Sequence, residues 1–93
     1  MSADKYIVGD LIRVWVEIRT IAGDLVDPTS IALYVKPPGG VISERTAIKA
    51  AVGKYYYDLS LDLSGSYGYR WQTRGENQGV SEGGVYVYPQ SVV

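Results

Sequence analysis

The chain has 93 residues, which is enough for one hydrophobic core but not for two. Its nine Lys and Arg nearly balance its ten Asp and Glu, and the net charge of −1 argues against a nucleic-acid binder or a polybasic membrane patch. The sequence has no Cys and no His, which excludes a disulfide framework and removes the commonest metal ligands and general base. We therefore expect a single domain over residues 1–93 that uses no metal or cofactor.

Short segments of alternating hydrophobicity follow one another along the chain, separated by Gly, Pro and Asp turn signals. In residues 11–20, for example, Val14 and Val16 lie on one face of an extended chain, while Trp15 and Glu17 lie on the other. Seven such segments are predicted as strands: residues 6–8, 11–20, 31–36, 41–48, 55–61, 67–73 and 85–88.

Turn chemistry predicts the segments between these strands. The run Pro37-Pro38-Gly39-Gly40 indicates the tip of a hairpin. Residues 49–52 favour a brief helical turn, residues 74–79 an exposed hairpin loop, and residues 89–93 a short tail. No segment sustains the period of 3.6 residues that an amphipathic helix requires.

Seven short strands with closely spaced turn signals are typical of an all-β fold, and we predict a seven-stranded immunoglobulin-like antiparallel β-sandwich. This topology places the first, second and fifth strands in one sheet, and the third, sixth and seventh in the other. The inward rows then supply a core of Ile, Val and Leu, closed by the Tyr and Trp of the fifth and sixth strands, among them Tyr67, Tyr69 and Trp71. We expect Tyr67 to be the corner tyrosine of such sandwiches.

A series of turn and core motifs runs along the chain: Gly9-Asp10, Gly23-Asp24-Leu25-Val26-Asp27-Pro28, Ala32-Leu33-Tyr34-Val35-Lys36-Pro37-Pro38-Gly39, Gly53-Lys54-Tyr55, Leu59-Ser60-Leu61, Gly65-Ser66-Tyr67-Gly68-Tyr69-Arg70-Trp71, Glu82-Gly83-Gly84 and Pro89. In these motifs the chain resembles short immunoglobulin-like proteins and domains of tailed bacteriophages and prophages, broadly of the bacterial Ig-like and fibronectin type III kind. The likeness covers nearly the whole chain. The resemblance implies a structural or accessory part of a phage head or tail, or an adhesive surface module, and brings no catalytic motif. The Cys pair of antibody-type domains is absent.

Large aromatic residues and Arg recur where the alternation points outward. On one sheet the outward residues include Tyr34, Arg70, Tyr86 and Tyr88, with Gly68 leaving a shallow place between them. On the other sheet Trp15 and Tyr56 point outward. These residue types are enriched at the centres of protein interfaces, so we predict all six as partner-binding residues. Two other interpretations remain open, because aromatic pairs also stabilise exposed strands and a slip of one residue exchanges the two faces.

Catalysis and metal binding are disfavoured. A nucleophile without His or Cys needs a Lys or carboxylate base, and small sandwiches seldom hold the cleft that catalysis needs. Asp10, Asp24 and Asp27 stand beside Gly or Pro, and we interpret them as turn caps because their spacing matches no calcium loop. We predict that the protein is not an enzyme.

These observations lead to two hypotheses. The first is a non-catalytic phage or prophage structural or assembly protein that docks on protein partners, or on itself, through a sheet face or an edge strand. The alternative is a carbohydrate- or cell-surface-binding adhesion module that uses its exposed aromatics. Residues 1–4 carry no basic or apolar signal region and no apolar run is of membrane-spanning length, so we expect a protein made in the bacterial host cytoplasm, for incorporation into the virion.

Overall fold

A computed structural model describes residues 6–75 and 78–89, which form two β-sheets and no helix. The strands are β1 (Tyr6–Ile7), β2 (Leu11–Glu17), β3 (Ser30–Lys36), β4 (Ser43–Arg45), β5 (Ile48–Ala51), β6 (Lys54–Ser60), β7 (Gly65–Arg74) and β8 (Gly79–Tyr88). The all-β class is confirmed. The predicted number of seven strands is wrong, since eight are present in the described residues.

The first strand lies in the sheet opposite to the one predicted. One sheet has the order β1-β8-β7-β3-β4 and the other β2-β6-β5, and β1 runs parallel to β8. The chain crosses between the sheets directly after β1, where the Val8 N–H donates to the Tyr88 carbonyl at 3.0 Å and the Gly9 N–H to the Leu61 carbonyl at 2.8 Å. The sandwich is therefore not purely antiparallel.

The fourth predicted strand, residues 41–48, is divided between the two sheets. Strand β4 pairs with β3, whereas β5 pairs with β6 on the other side of the sandwich. Strand β5 also replaces the helical turn predicted at residues 49–52. Its ladder is bulged between Lys49 and Ala51, and it ends in a turn at Gly53. Gly53 has φ +71°, and a Cβ there would lie 2.8 Å from the Ile18 carbonyl oxygen, so this turn requires glycine.

The hairpin of β7 and β8 is longer than predicted. The predicted loop at residues 74–79 begins only after Arg74, and β8 starts at Gly79. Alternation concealed the first half of β8 because Gly79, Gly83 and Gly84 have no side chains to alternate. Residues 76 and 77 of the predicted loop, and residues 90–93 of the predicted tail, lie outside the described residues.

The core follows the predicted inward rows. Its buried hydrophobic residues are Val14, Ile18, Leu33, Val35, Tyr55, Leu59, Leu61, Tyr67, Trp71 and Val87. Tyr67 is 5% exposed, and its hydroxyl accepts a hydrogen bond from the Leu63 N–H at 3.0 Å. This bond ties the start of β7 to the turn before it, which is the contact that a corner tyrosine makes.

Candidate binding surfaces

The six predicted partner-binding residues all lie on the outer faces of the two sheets. We call the outer face of the five-stranded sheet the tyrosine face; its predicted residues are Tyr34, Arg70, Tyr86 and Tyr88. We call the outer face of the three-stranded sheet the tryptophan face; its predicted residues are Trp15 and Tyr56. The structure therefore brings the six residues together as two separate groups, and their binding role stays a prediction.

One cross-strand row of the tyrosine face combines an aromatic ring with charges. Arg70 lies opposite Tyr34 of β3 and opposite Glu82 of β8. Its guanidinium carbon lies 5.6 Å from the centroid of the Tyr34 ring, and its Nη1 lies 4.0 Å from a Glu82 carboxylate oxygen. Both contacts are long, so each holds the Arg70 side chain only weakly. The side chain is also half-exposed.

The neighbouring cross-strand row has almost no side chains. Gly68 of β7 lies directly opposite Gly84 of β8, with Lys36 of β3 on the other side of Gly68. A Cβ added to Gly68 would meet no heavy atom within 4 Å. A groove of about 330 Å³ opens beside this row, and Tyr34, Gly68 and Arg70 are among the residues that line it. We call the bare backbone at Gly68 and Gly84 the glycine notch.

A second aromatic group lies on the far side of the glycine notch. Tyr86 and Tyr88 are 54% and 44% exposed, and their rings pack edge to face with centroids 4.9 Å apart. Ile7 of β1 lies beside Tyr88 and is also exposed. Tyr86 pairs with Ser66, four residues along β7 from Arg70, so the two groups lie about 13 Å apart along the strands.

On the tryptophan face the aromatic and charged side chains form one connected group instead of two separate ones. Trp15 lies opposite Tyr56, with ring centroids 5.1 Å apart. Arg13 places its guanidinium 4.0 Å from the Tyr56 centroid and donates to both carboxylate oxygens of Asp58, at 2.7 and 3.1 Å. Hydrogen bonding from Arg13 holds the pKa of Asp58 below its ordinary value. Trp15 nevertheless stays 52% exposed.

Asp27 forms a polar cluster that sequence reasoning missed. Its carboxylate accepts hydrogen bonds from Lys49 Nζ at 2.7 Å, the Gly53 N–H at 2.9 Å and the Tyr55 hydroxyl at 3.1 Å. The Lys49 bond, followed by that of Gly53, lowers the pKa of Asp27. Burial, followed by the bond to Asp27, raises the pKa of Tyr55. Asp27 therefore joins its own loop to β5 and β6, and these long-range contacts left no local signal in the sequence.

A cleft of about 370 Å³ opens between β2 and β8, lined in part by Val16, Trp71 and Ser81. Trp71 is 2% exposed, and its indole Nε1 is the one buried side-chain nitrogen or oxygen without a hydrogen-bond partner in residues 6–75 and 78–89. A single unpaired indole donor supplies neither a nucleophile nor a base.

The three acids considered as turn caps do not gather. Asp10 closes a turn by accepting a hydrogen bond from the Ile7 N–H at 2.8 Å, whereas Asp27 binds distant strands. In the part of the chain that the structure describes, no three acidic side chains are grouped as a metal site would require. The same residues include no helix long and apolar enough to cross a membrane.

Comparison with protein-family models, with curated proteins and with solved structures finds no match to this chain.

Proposed function

We propose that this protein is a non-catalytic structural or assembly component of a phage or prophage particle, and that it docks on a protein partner through the tyrosine face. The observation that carries the proposal is the glycine notch between two aromatic groups. It leaves backbone accessible at the centre of a surface whose rim is Tyr and Arg. A protruding side chain or turn of a partner fits such a depression.

The strand order supports an immunoglobulin-like sandwich with one additional strand. Strands β8, β7 and β3 correspond to the last, sixth and third strands of that fold, and β2, β6 and β5 correspond to its second, fifth and fourth. Strand β4 is then the addition beside the third strand, as in variable-type domains. The Tyr67 hydrogen bond to Leu63 supports the same assignment.

The residue types of the tyrosine face favour a protein partner. Tyr and Arg are enriched among the residues that contribute most to protein binding, because they combine a large apolar area with a polar end. Lys36, Arg70 and Glu82 place charges around the glycine notch, which gives a polar rim. A partner with an apolar centre and matching charges would bury Tyr86 and leave these charges paired or hydrated.

The ring geometry is less favourable to the carbohydrate-binding alternative. Sugar rings stack on open aromatic faces, but the rings of Tyr86 and Tyr88 pack edge to face instead of forming a flat row. On the tryptophan face the guanidinium of Arg13 covers Tyr56. Only Trp15 presents a largely exposed indole, and one ring makes a weak sugar platform.

Site-specific photocrosslinking tests the proposal. A benzoylphenylalanine is placed at Tyr86 in the cells that produce the protein, and at Leu63 as a control that is 50% exposed but lies in the turn before β7. We expect crosslinks from position 86 to capsid, portal or tail proteins, and their loss when Gly68→Val fills the notch. Equal products from both positions, or no particle protein among them, would contradict the proposal.

A glycan array and titration of the intrinsic Trp fluorescence with polysaccharides test the alternative. Saturable quenching that Trp15→Phe removes would support the carbohydrate-binding function. The absence of binding there, together with crosslinks from position 86 to particle proteins, would support docking.

A further inference from the structure

Among the described residues, one edge of strand β2 has no neighbouring strand. Ile18 donates its N–H to the Gly53 carbonyl at 2.8 Å, and the Asp10 carbonyl accepts the Leu61 N–H at 2.9 Å, so the even-numbered residues point toward β6. Because backbone groups alternate along a strand, Arg13, Trp15 and Glu17 point theirs away from β6. No described strand pairs with that side of β2.

The other edges of the two sheets are protected in ways that β2 is not. Strand β4 has only three residues, and the β5 ladder is bulged beside Lys49. Strand β8 is covered by β1 at one end and is rich in glycine at the other. Short edges, bulges, edge lysines and covering segments are the usual protections against pairing with another chain. Strand β2 has seven residues in regular register and no proline.

The sequence of β2 is complementary to itself in the antiparallel direction. Residues 12–18 read Ile-Arg-Val-Trp-Val-Glu-Ile, so the apolar residues are symmetric about Trp15 while the charges exchange sign. A second copy paired about this centre places Trp15 against the second copy's Trp15. Arg13 then lies opposite the second copy's Glu17, and Val14 lies opposite its Val16.

The neighbouring strand extends this complementarity. Arg13 already lies beside Asp58, and Glu17 lies beside Lys54. The row across two paired copies is therefore Asp58, Arg13, Glu17 and Lys54, in which the charge alternates in sign at each step. The central row contains no charge. It reads Ile48, Tyr56 and Trp15 in the first copy, followed by the same three residues in reverse order in the second copy.

We propose that two copies of this chain associate through β2, antiparallel and centred on Trp15, to form one six-stranded sheet of order β5-β6-β2-β2-β6-β5. The pairing satisfies the open backbone groups and packs the exposed indole of Trp15 against that of the second copy, which covers part of it. It uses the tryptophan face and its edge, not the tyrosine face, so it goes beyond the proposed function and is tested separately.

Sedimentation velocity over a range of protein concentrations tests the association. We expect a reversible dimer whose dissociation constant rises at least about tenfold in Glu17→Lys, because two cross-strand ion pairs become repulsive. Glu44→Lys is the matched control. It makes the same change of charge at an exposed residue of β4, at the distant edge of the other sheet, and leaves the dissociation constant unchanged.

Fluorescence gives a second measurement of the same event. Trp15 is 52% exposed and Trp71 is 2% exposed, so acrylamide quenching of the free protein reports mainly on Trp15. We expect this quenching to fall as the protein concentration rises, and Glu17→Lys to remove the fall. Far-UV circular dichroism verifies that each variant keeps its fold.

Cysteine crosslinking tests the register. The chain has no Cys, so single introduced thiols are unique. Residues directly opposite in a hydrogen-bonded antiparallel pair have Cα atoms about 5.5 Å apart, which a disulfide can span. Arg13→Cys mixed with Glu17→Cys is expected to crosslink, whereas each variant alone, and either one mixed with Leu63→Cys, is expected not to.

A protein that stays monomeric at the highest attainable concentration would overturn this inference. So would a dimer that Glu17→Lys leaves intact, or one in which Arg13→Cys crosslinks with itself as readily as with Glu17→Cys. These outcomes leave the photocrosslinking of Tyr86 unaffected, so the two proposals fail independently.

Discussion

The two outer faces of the sandwich differ in how their aromatic residues are held. On the tryptophan face Arg13 lies over the Tyr56 ring and donates hydrogen bonds to both carboxylate oxygens of Asp58. Trp15 packs against the same Tyr56 ring. On the tyrosine face Arg70 has only long contacts. The same outward alternation thus produces one face with a single connected group of side chains and another with two separate groups.

Glycine accounts for much of this difference. In the tryptophan face each position next to Trp15 and Tyr56 carries a side chain that reaches across the strands. In the tyrosine face the opposed glycines 68 and 84 remove two side chains from the middle of the sheet. The two groups of aromatics on either side cannot reach each other, and the gap between them is the depression to which we assign docking.

The largest effect on stability is expected from adding a side chain at Gly84 of the glycine notch. A Cβ at Gly84 would lie 2.9 Å from the Tyr67 carbonyl oxygen, so Gly84→Ala should lower the free energy of unfolding by about 1–3 kcal/mol. A Cβ at Gly68 meets nothing within 4 Å, so Gly68→Ala should raise it by about 0.5–1 kcal/mol. Urea denaturation measures both. An equal decrease in the free energy of unfolding of both variants would mean that there is no free space above Gly68.

The next effect is the coupling between aromatic rings. A double-mutant cycle of Trp15→Ala and Tyr56→Ala should give about 0.5–1.5 kcal/mol, because the rings lie on different strands and meet only in the folded protein. The cycle of Tyr86→Ala and Tyr88→Ala should give less, because residues two apart stay close in the unfolded chain. Both cycles are measured in dilute, monomeric protein. A larger coupling for the Tyr86 pair would reverse the contrast between the faces.

A smaller loss of stability is expected at low pH, and we expect it to come from two acidic residues that contact the three-stranded sheet. Asp58 and Asp27 have folded-state pKa values below the ordinary 3.8, because of Arg13 and of Lys49 with Gly53 respectively. A lowered folded pKa stabilises the protein above the unfolded value, and this stabilisation is lost as the pH falls below 3.8 through the folded values.

The double variant Asp27→Asn with Asp58→Asn should therefore flatten the decline in thermal stability below that pH. Both carboxylates are partly exposed, so solvent screens them and the decline is shallow. A decline just as steep in the double variant would show that these two acids do not cause it.

The smallest effect on stability is expected at Tyr86, on the rim of the proposed docking surface. Tyr86→Ser should change the free energy of unfolding by at most about 0.5 kcal/mol, because the ring is exposed and packs mainly on Tyr88. Val87→Ala, at the fully buried neighbour, is the control and should cost more. Denaturation midpoints distinguish the two. A cost at Tyr86 similar to that at Val87 would indicate that the ring serves the fold and not a partner.

Much of the layout follows from alternation alone. Val14, Leu33 and Val87 are buried, while Trp15 and Tyr86 are exposed, as a period of two predicts. The corner contact of Tyr67 was also predictable, because it joins residues four apart. The cluster around Asp27 was not, because Asp27 bonds to residues 22 to 28 positions away.

By itself, the sequence determined which side of the regularly alternating strands β2, β3, β6 and β7 is apolar, because that depends only on side-chain spacing along an extended chain. The tertiary structure decided which strands are neighbours: β1 lies parallel to β8, the fourth predicted strand is divided between the sheets, and Gly68 lies opposite Gly84. Strand pairing joins distant parts of the chain through backbone hydrogen bonds that are the same for almost every residue, so it leaves no local pattern in the sequence.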